Sequence, residues 1–346
     1  MKKNRTKRIL KLLFILVSIC SLWFVPWKLV KGWILPLPNT VQEQVDDAVE
    51  QGFDGLILYV DKVGNEPEFY AGGYKNRDKK TQADPNSLFK IASISKLYVA
   101  VAITKLIKDK GLSINQSLAY YFPELKHRIE YAEDISVKML VQHRSGIPNF
   151  TETPNYWENP PESAKKSLEL ILDLPANFVP GKAYEYCNTN YLLLSMLIDK
   201  IVGYSHHQYI QEQILTPLNL KNTFFSNKDV DLNRVMSGYH VGYAHDLKED
   251  DQGMLATAQD VGIFLRALNK GTLLTHEEQL IYNSMYELEH SGWVPGYQSF
   301  ASYHSDIDAI VVEFYSTTDE KLILWNLAEI TNNRIASILK KQHAKK

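Results

Sequence analysis

The sequence predicts an α+β protein, an α/β sandwich in which one antiparallel sheet is built from both ends of the chain. Residues 55–60 and 69–71 have the short apolar pattern of strands, and residues 297–303 and 309–315 alternate as a β-hairpin does. The stretch from 97 to about 288 carries mainly helical and loop-like patterns. Strands at both ends favour a sheet that is flanked by helices and interrupted by an inserted, mainly helical region.

The first strand follows a predicted helix that runs to about residue 51 and begins at either Asn39 or Thr40, both of which are common helix caps. Residues 148–161 are rich in Asn, Pro and aromatic side chains and predict a long surface loop. Residues 321–341 predict a long amphipathic C-terminal helix. The clearest helical patterns between these segments cover residues 97–110, 137–142, 166–174, 191–202, 209–214 and 258–268.

The first 35 residues form a segment of their own, with eight Lys or Arg, no acid, and an uncharged run over residues 12–27. That run is at the short end of what crosses a bilayer, and its basic flank should stay in the cytoplasm. We therefore expect a basic N-terminus and membrane anchor over residues 1–35 and a catalytic domain outside the cytoplasm over 36–346. A cleaved signal peptide, which would give a secreted protein, is the alternative.

Within residues 36–346 we expect a sheet region over about 45–96 and 288–341 and a helical region over about 97–287. Without the basic N-terminus the chain has a net charge of about −10, and this acidic balance does not suggest nucleic-acid binding. Cys20 lies in the N-terminal apolar segment and Cys187 lies far downstream, so no disulfide is expected within the domain. No Cys/His cluster has zinc-ligand spacing, so no metal is expected.

Ser93 and Lys96 are the first candidate catalytic pair, because residues three apart share one face of a helix. There the lysine amine can reach the serine hydroxyl and activate it as a nucleophile. Ser163 with Lys166, and Ser337 with Lys340, have the same spacing in polar surroundings and are expected to be ordinary solvated helix residues.

Tyr186 and Asn188 form a second candidate pair just before a predicted helix. A tyrosine near a lysine ammonium should lose its proton more readily, so Tyr186 is a candidate general base and then general acid. Asn188 is a candidate contact for a substrate amide. Tyr74 and Asn76 have the same spacing, and Tyr186 is also compatible with a packed aromatic side chain.

His290 and Gly292 form a third candidate group, ahead of the predicted hairpin. A glycine there would let a substrate backbone lie against an edge strand. The backbone N–H groups of Ser93 and Trp293 would then form an oxyanion hole. The His-x-Gly pattern also occurs from His240, and a structural role for His290 stays open.

The three motifs in this order resemble the serine β-lactamase and penicillin-binding protein superfamily. They are most similar to the class C β-lactamase-related branch, which contains D-Ala-D-Ala carboxypeptidases, D-aminopeptidases and esterases. The supporting segments are 87–93, 140–148 (LVQHRSGIP, similar to LLxHxSGLP), 180–194, 215–224 and 290–297. The resemblance as a whole covers about residues 45 to 340, and it implies a β-lactamase/transpeptidase-like fold.

By that resemblance the site has five assigned groups and works through an acyl-enzyme without a cofactor. These groups are the nucleophile Ser93, its activating partner Lys96, the proton shuttle Tyr186, the substrate contact Asn188 and the third-motif residue His290. His290 replaces the lysine that is usual in true β-lactamases, and a partly charged histidine would hold a β-lactam carboxylate less firmly. The neighbouring Glu289 is expected to raise the pKa of His290.

The sequence therefore predicts a membrane-anchored, exported serine hydrolase that acts on a small D-amino-acid peptide, amide or ester, cell-wall-derived substrates included. A carboxylesterase with the same site and a catalytically silent envelope scaffold are the alternatives. The sequence predicts no oligomeric state.

Overall fold

The structure, a computed structural model, describes residues 2–251 and 253–345. Met1 and Lys346, the outer ends of the two predicted segments, lie outside the described residues. The helices are α1 (Lys2–Ser21), α2 (Trp27–Ile34), α3 (Val41–Glu50), α4 (Ser95–Lys110), α5 (Leu118–Tyr121), α6 (Val137–Val141), α7 (Ala164–Glu169), α8 (Asn188–Val202), α9 (His206–Ile210), α10 (Ala258–Asn269), α11 (His276–Asn283) and α12 (Ile323–His343). The strands are β1 (Gly55–Lys62), β2 (Glu68–Asn76), β3 (Thr81–Gln82), β4 (Phe89–Lys90), β5 (Thr223–Phe224), β6 (Tyr239–His240), β7 (Leu255–Ala256), β8 (His290–Val294), β9 (Tyr297–His304), β10 (Ala309–Tyr315) and β11 (Thr317–Thr318).

One six-stranded antiparallel sheet is built from both ends of the chain, which confirms the predicted fold class. Its order is β3-β2-β1-β10-β9-β8, so the first and last long strands meet in the middle, with Ile57 opposite Phe314. The β9–β10 hairpin lies where the alternation placed it. β8 forms one outer edge of the sheet, and this edge carries the third candidate motif.

The sheet separates two apolar cores, because successive side chains of a strand point to opposite faces. On β1, Ile57 and Tyr59 face the larger core, which the helices of the inserted region complete. Leu56 and Leu58 face a smaller core against α3 and α12. Thr40 caps α3 in a reciprocal capping box with Glu43, so the second of the two predicted caps is correct.

The predicted central helices are present with shifted bounds. α8 begins three residues earlier than predicted, at Asn188, and α7 ends five residues earlier, at Glu169. The predicted helix at 209–214 is split between α9 and a π-helical turn, Gln211–Leu215. The sequence analysis did not predict α11.

The N-terminal apolar run is not one straight helix. The segments Leu10–Phe24 and Trp27–Ile34 meet at 82°, with the break next to Pro26, which lacks a backbone N–H. Over the described part of the chain, no single helix is long and apolar enough to cross a membrane, although this bent pair passes the same test together.

Candidate active site

Ser93 lies in a 3-10 turn, Ala92–Ile94, which leads directly into α4. The preceding Ala92 has a φ of 48°, in the left-handed region that few residues other than glycine adopt. Ala92 and Ile94 are buried on either side, whereas Ser93 is partly exposed. The strained turn thus places the Ser93 hydroxyl at the N-terminal end of the buried helix α4, where part of the side chain is exposed.

Lys96, one turn further along, points back to that hydroxyl. Its Nζ lies 3.1 Å from Ser93 Oγ and donates to Asn188 Oδ1 at 2.8 Å. Burial away from water lowers the pKa of Lys96 to about 7, so a large fraction of the side chain is a neutral amine near neutral pH. A neutral amine can accept the serine proton.

Tyr186 completes the contacts of the nucleophile, and its hydroxyl donates to Ser93 Oγ at 2.7 Å. Its protonation differs from the sequence expectation. Burial raises the pKa of Tyr186 well above its ordinary value, and the lysine that was expected to lower it is itself only partly charged near neutral pH. The phenol therefore stays protonated near neutral pH, so Lys96 is able to accept a proton in this arrangement and Tyr186 is able to donate one.

Asn188 begins α8 and serves the protein's own network. Its Oδ1 accepts from Lys96, and its Nδ2 donates to Thr151 Oγ1 at 2.9 Å. Its backbone N–H donates to Asn149 Oδ1 at 3.1 Å. The structure thus places Asn188 as an orienting partner of Lys96. An amide nitrogen carries two hydrogens, so the bond to Thr151 does not prevent Nδ2 from also donating to a substrate amide oxygen.

His290 opens the edge strand β8 and lies beside Tyr186, with 6.3 Å between the ring centroids. Burial, together with the nearby Lys96, lowers the pKa of His290 to about 4. The expected rise of this pKa is not found, because burial and Lys96 lower it and Glu289 is exposed. His290 is a neutral imidazole at neutral pH. A groove of about 480 Å³ that His290 also lines lies toward α12, beside Phe300 and Asn332, and its lining does not include Ser93.

Gly292 is required by a close approach inside the protein. A Cβ at this position would lie 2.5 Å from the Ile91 carbonyl oxygen and 2.9 Å from the Ser93 nitrogen. This glycine was expected to leave space for a substrate backbone beside the edge strand. The contacts show that it also lets β8 pack against the turn of the nucleophile, which brings the backbone of Trp293 near that of Ser93.

The Trp293 ring lies against Trp157 from the 148–161 loop, edge to face with 5.8 Å between centroids. The base of that loop is fixed by Thr189, whose Oγ1 donates to the Pro148 carbonyl at 2.7 Å and accepts from the Phe150 N–H at 3.1 Å. The long loop therefore walls the site next to the candidate oxyanion hole.

The sequence analysis missed the contribution of His143. Its carbonyl accepts from the Glu185 N–H and its Nδ1 accepts from the Cys187 N–H, each at 3.0 Å, so it holds both amides that flank Tyr186. Its ring lies 4.5 Å from the Tyr186 ring, and burial lowers its pKa to about 3. The only sequence signal was the LVQHRSGIP segment, noted as a resemblance without a role for the histidine.

The two other serine and lysine pairs with the same spacing lie in ordinary surface helices. Ser163 caps α7, and Lys166 pairs with Glu162 in solvent. Ser337 donates to a carbonyl of its own helix, α12. In the described ranges, no group of three or more His, Cys, Asp or Glu is placed to hold a metal ion.

A family model described as Beta-lactamase matches residues 38–314. Among curated proteins, Protein flp of Staphylococcus aureus (strain MW2) is 28% identical over 211 residues, which cover 59% of this chain and 42% of that protein. The chain thus spans less than half the length of this curated relative.

Two solved structures share the fold. The D-amino acid amidase of Ochrobactrum anthropi SV3, complexed with L-phenylalanine, superposes with a TM-score of 0.79 at 22% identity and covers 87% of this chain and 98% of its own. A penicillin binding protein from Bacillus halodurans superposes with a TM-score of 0.71 at 19% identity, covering 84% of this chain and 99% of its own.

Proposed function

We propose that this chain, which belongs to the beta-lactamase family, acts on a D-amino-acid peptide, amide or ester through an acyl-enzyme on Ser93. Membership of this family supports a serine hydrolase. The observation that carries the proposal is the position of Ser93 Oγ, 3.1 Å from a partly discharged Lys96 amine and 2.7 Å from a protonated Tyr186 hydroxyl.

In the proposed acylation step, neutral Lys96 takes the Ser93 proton as Oγ attacks the substrate carbonyl carbon. The oxyanion that forms accepts from the backbone N–H groups of Ser93 and Trp293. The bond to the leaving group then breaks, the leaving group takes a proton from the Tyr186 hydroxyl, and the proton on Lys96 replaces it. Water adds to the acyl carbon in the second half, which releases the acid and returns a proton to Ser93.

The neutral His290 supports a substrate that needs no strong grip on a carboxylate. An imidazole with a pKa of about 4 donates a hydrogen bond but gives no ionic attraction near neutral pH. Amides and esters therefore suit the site better than penicillins do. The shared fold with the D-amino acid amidase of O. anthropi supports an amide of a D-amino acid, cell-wall-derived peptides included.

A carboxylesterase is the second candidate, because the neutral His290 favours ester substrates equally. The third, a catalytically silent scaffold, requires that the contacts around Ser93 have no chemical use. One experiment separates the three: intact-mass spectrometry of the full chain after incubation with a fluorophosphonate and, separately, with a penicillin, with Ser93→Ala alongside.

We expect a Ser93-dependent fluorophosphonate adduct and little or no penicillin adduct. Hydrolysis of D-phenylalanine amide would then support the amidase, and hydrolysis of p-nitrophenyl esters alone would support the esterase. A folded wild-type chain that forms no adduct with either probe contradicts the proposal and supports the scaffold.

We also propose that residues 1–35 attach the protein to a membrane, with the catalytic domain outside the cytoplasm. The basic flank and the exposed apolar side chains of α1, including Phe14 and Leu16, support this. The test is flotation of the full chain with lipid vesicles, together with a C-terminal reporter in cells. A chain that stays with the soluble fraction, or a reporter active only in the cytoplasm, contradicts it.

A further inference from the structure

The short helix α2 is docked onto the catalytic domain through a tight contact. Leu29 packs against the smaller core, and Gly32 is buried against α12. A Cβ at Gly32 would lie 3.1 Å from Ile330 Cγ2 and 3.5 Å from Leu327 Cδ1, so a larger residue would push the two helices apart. Leu29 and Gly32, three residues apart, define one face of α2 as the docked face.

Arg334 of α12 secures the end of α2. Its Nη1 donates to the carbonyls of Gly32 at 3.1 Å and Leu35 at 2.8 Å, and its Nη2 donates to that of Pro36 at 2.8 Å. Its Nε donates to the buried Gln44 of α3 at 2.6 Å. The last carbonyls of a helix lack partners within the helix and carry partial negative charge, so a guanidinium there both caps α2 and fixes it to the domain.

The opposite face of α2 is apolar, basic and exposed. Trp27, Lys31 and Ile34 are spaced four and three residues apart and lie on one side of the helix, away from the docked face. Ile34 is 72% exposed and the flanking Trp33 is 74% exposed. Tryptophan, isoleucine and lysine side chains on one helix face are typical of a helix that lies in the interface of a membrane with anionic lipids.

The bend before α2 matches the same arrangement. Leu10–Phe24 and Trp27–Ile34 meet at 82°. If α2 lies flat on a bilayer, a bend of this size allows α1 to run along the membrane normal. Trp23 and Phe24, at the end of that first segment, are 89% and 85% exposed, so apolar surface continues around the bend.

We propose that α2 is a membrane-surface helix held rigidly on the catalytic domain by Arg334, and that its outer face binds anionic lipid headgroups. The inference rests on the proposed membrane attachment of residues 1–35. It gives the domain a fixed orientation instead of a loose tether. Because α2 packs with α12 on one face of the sheet and the turn with Ser93 packs on the other, the sheet lies between the site and the lipid surface.

The test uses the full chain in a Cys20→Ser background, in which Cys187 is buried. An environment-sensitive dye is placed on Ile34→Cys or, as a matched control, on Leu280→Cys, which is 59% exposed on α11 of the helical region. Each protein is mixed with phosphatidylcholine vesicles with and without phosphatidylglycerol. We expect a blue shift and stronger emission from the dye at position 34 with phosphatidylglycerol, and no change at position 280.

A second variant tests the rigid attachment. We expect Arg334→Gln to increase hydrogen exchange of the amides in residues 27–36 on vesicles while ester hydrolysis in solution stays unchanged. Lys340→Gln, an exposed basic residue of the same helix, should alter neither. Exchange that is unchanged in Arg334→Gln would overturn the role of Arg334.

The outcomes separate this inference from the proposed function. Suppose that the chain floats with vesicles and hydrolyses esters, but the emission of the dye at position 34 stays unshifted like that at position 280. Then α2 is not a membrane-surface helix, while the proposed membrane attachment and the proposed enzymatic function are unaffected. A chain that fails to float overturns the membrane attachment as well. Loss of Ser93-dependent labelling overturns only the enzymatic proposal.

Discussion

At the scale of single residues, the charge of Lys96 decides whether Ser93 can lose its proton. A protonated ammonium has no lone pair to accept that proton, so acylation requires the neutral amine. With a Lys96 pKa of about 7, the active fraction rises as the pH increases through that value. We expect the rate of fluorophosphonate labelling, measured from about pH 5 to about pH 9, to rise and level off with a midpoint near 7.

Lys96→Arg should lower that rate by about 10²–10⁴-fold at every pH, because arginine stays charged. Lys166→Arg is the matched control, since Lys166 has the same spacing from a serine but is exposed. A wild-type profile that is flat across pH 7, or full activity in Lys96→Arg, would show that another group removes the proton.

His143 is expected to act by positioning Tyr186. His143→Leu leaves the buried Cys187 N–H without its acceptor, which costs about 1–3 kcal/mol and frees the segment that carries the phenol. We expect a lower kcat with little change in KM, because only proton transfer depends on the exact place of the Tyr186 hydroxyl. His143→Asn, whose Oδ1 can accept the same hydrogen bond, should recover part of the kcat.

The measurement is steady-state ester hydrolysis together with the melting temperature of each variant. If His143→Leu and His143→Asn lower stability equally but leave kcat unchanged in the folded fraction, the histidine has a purely structural role.

The sequence predicted which candidate catalytic residues lie together, whereas it did not predict their protonation. Ser93, Lys96 and Tyr186 meet as the motif order predicted. Whether Lys96 or Tyr186 holds the proton depends on how far each is desolvated, and burial is set by side chains from distant parts of the chain. The same applies to His290, whose pKa is lowered by burial and by Lys96.

At the scale of secondary-structure elements, the contact between β10 and α12 contains a buried carboxyl group. Glu313 is fully buried, accepts from the Tyr315 hydroxyl and accepts from Asn332 Nδ2 at 3.0 Å. Burial raises its pKa from 4.5 to about 7. The folded state thus binds this proton more tightly than the unfolded state, and the associated stability is present below about pH 4.5 and lost as the pH rises through 7.

We expect Glu313→Gln to remove this loss, because a neutral amide has the same shape and cannot ionise. At about pH 8 the variant should be more stable than the wild type by about 2–3 kcal/mol, and at about pH 4 it should show no such gain. Urea unfolding at the two pH values measures the difference. Glu329→Gln on the exposed side of α12 is the control, and an equal gain there would remove Glu313 as the cause.

Elements with strong local signals were predicted, and elements that depend on tertiary contacts were not. The β9–β10 hairpin was predicted from alternation, and helix α3 was predicted from a cap at Asn39 or Thr40, of which Thr40 is the one observed. α2 has no cap that its own sequence supplies, since Arg334 caps it from some 300 residues away. No pattern within the segment could reveal that contact.

At the scale of the whole molecule, the sheet joins the two predicted regions into one structure. Phe314 of β10 stacks on Phe89, which leads to the nucleophile turn, at 4.5 Å and 7°. Phe89 also meets Tyr297 of β9 edge to face at 4.9 Å. The larger core joins Phe314 to Leu194 and Phe264 of the helical region, so the sheet region and the helical region share one core. We therefore expect residues 36–346 to unfold in a single transition.

Phe314→Ala tests this unity, because it removes a fully buried ring from the shared core. We expect a loss of about 3–5 kcal/mol in the free energy of unfolding. Hydrogen exchange should then accelerate together in β1, from the sheet, and in α8, from the helical region, since neither can keep its core when the other opens. Phe69→Ala, which removes a ring that is 38% exposed on the same sheet, should cost much less.

If Phe314→Ala accelerates exchange in β1 alone, or if calorimetry resolves two transitions, the regions are independent folding units. The inserted helices would then have to position Tyr186 against Ser93 without the sheet that holds Gly292 and the nucleophile turn together.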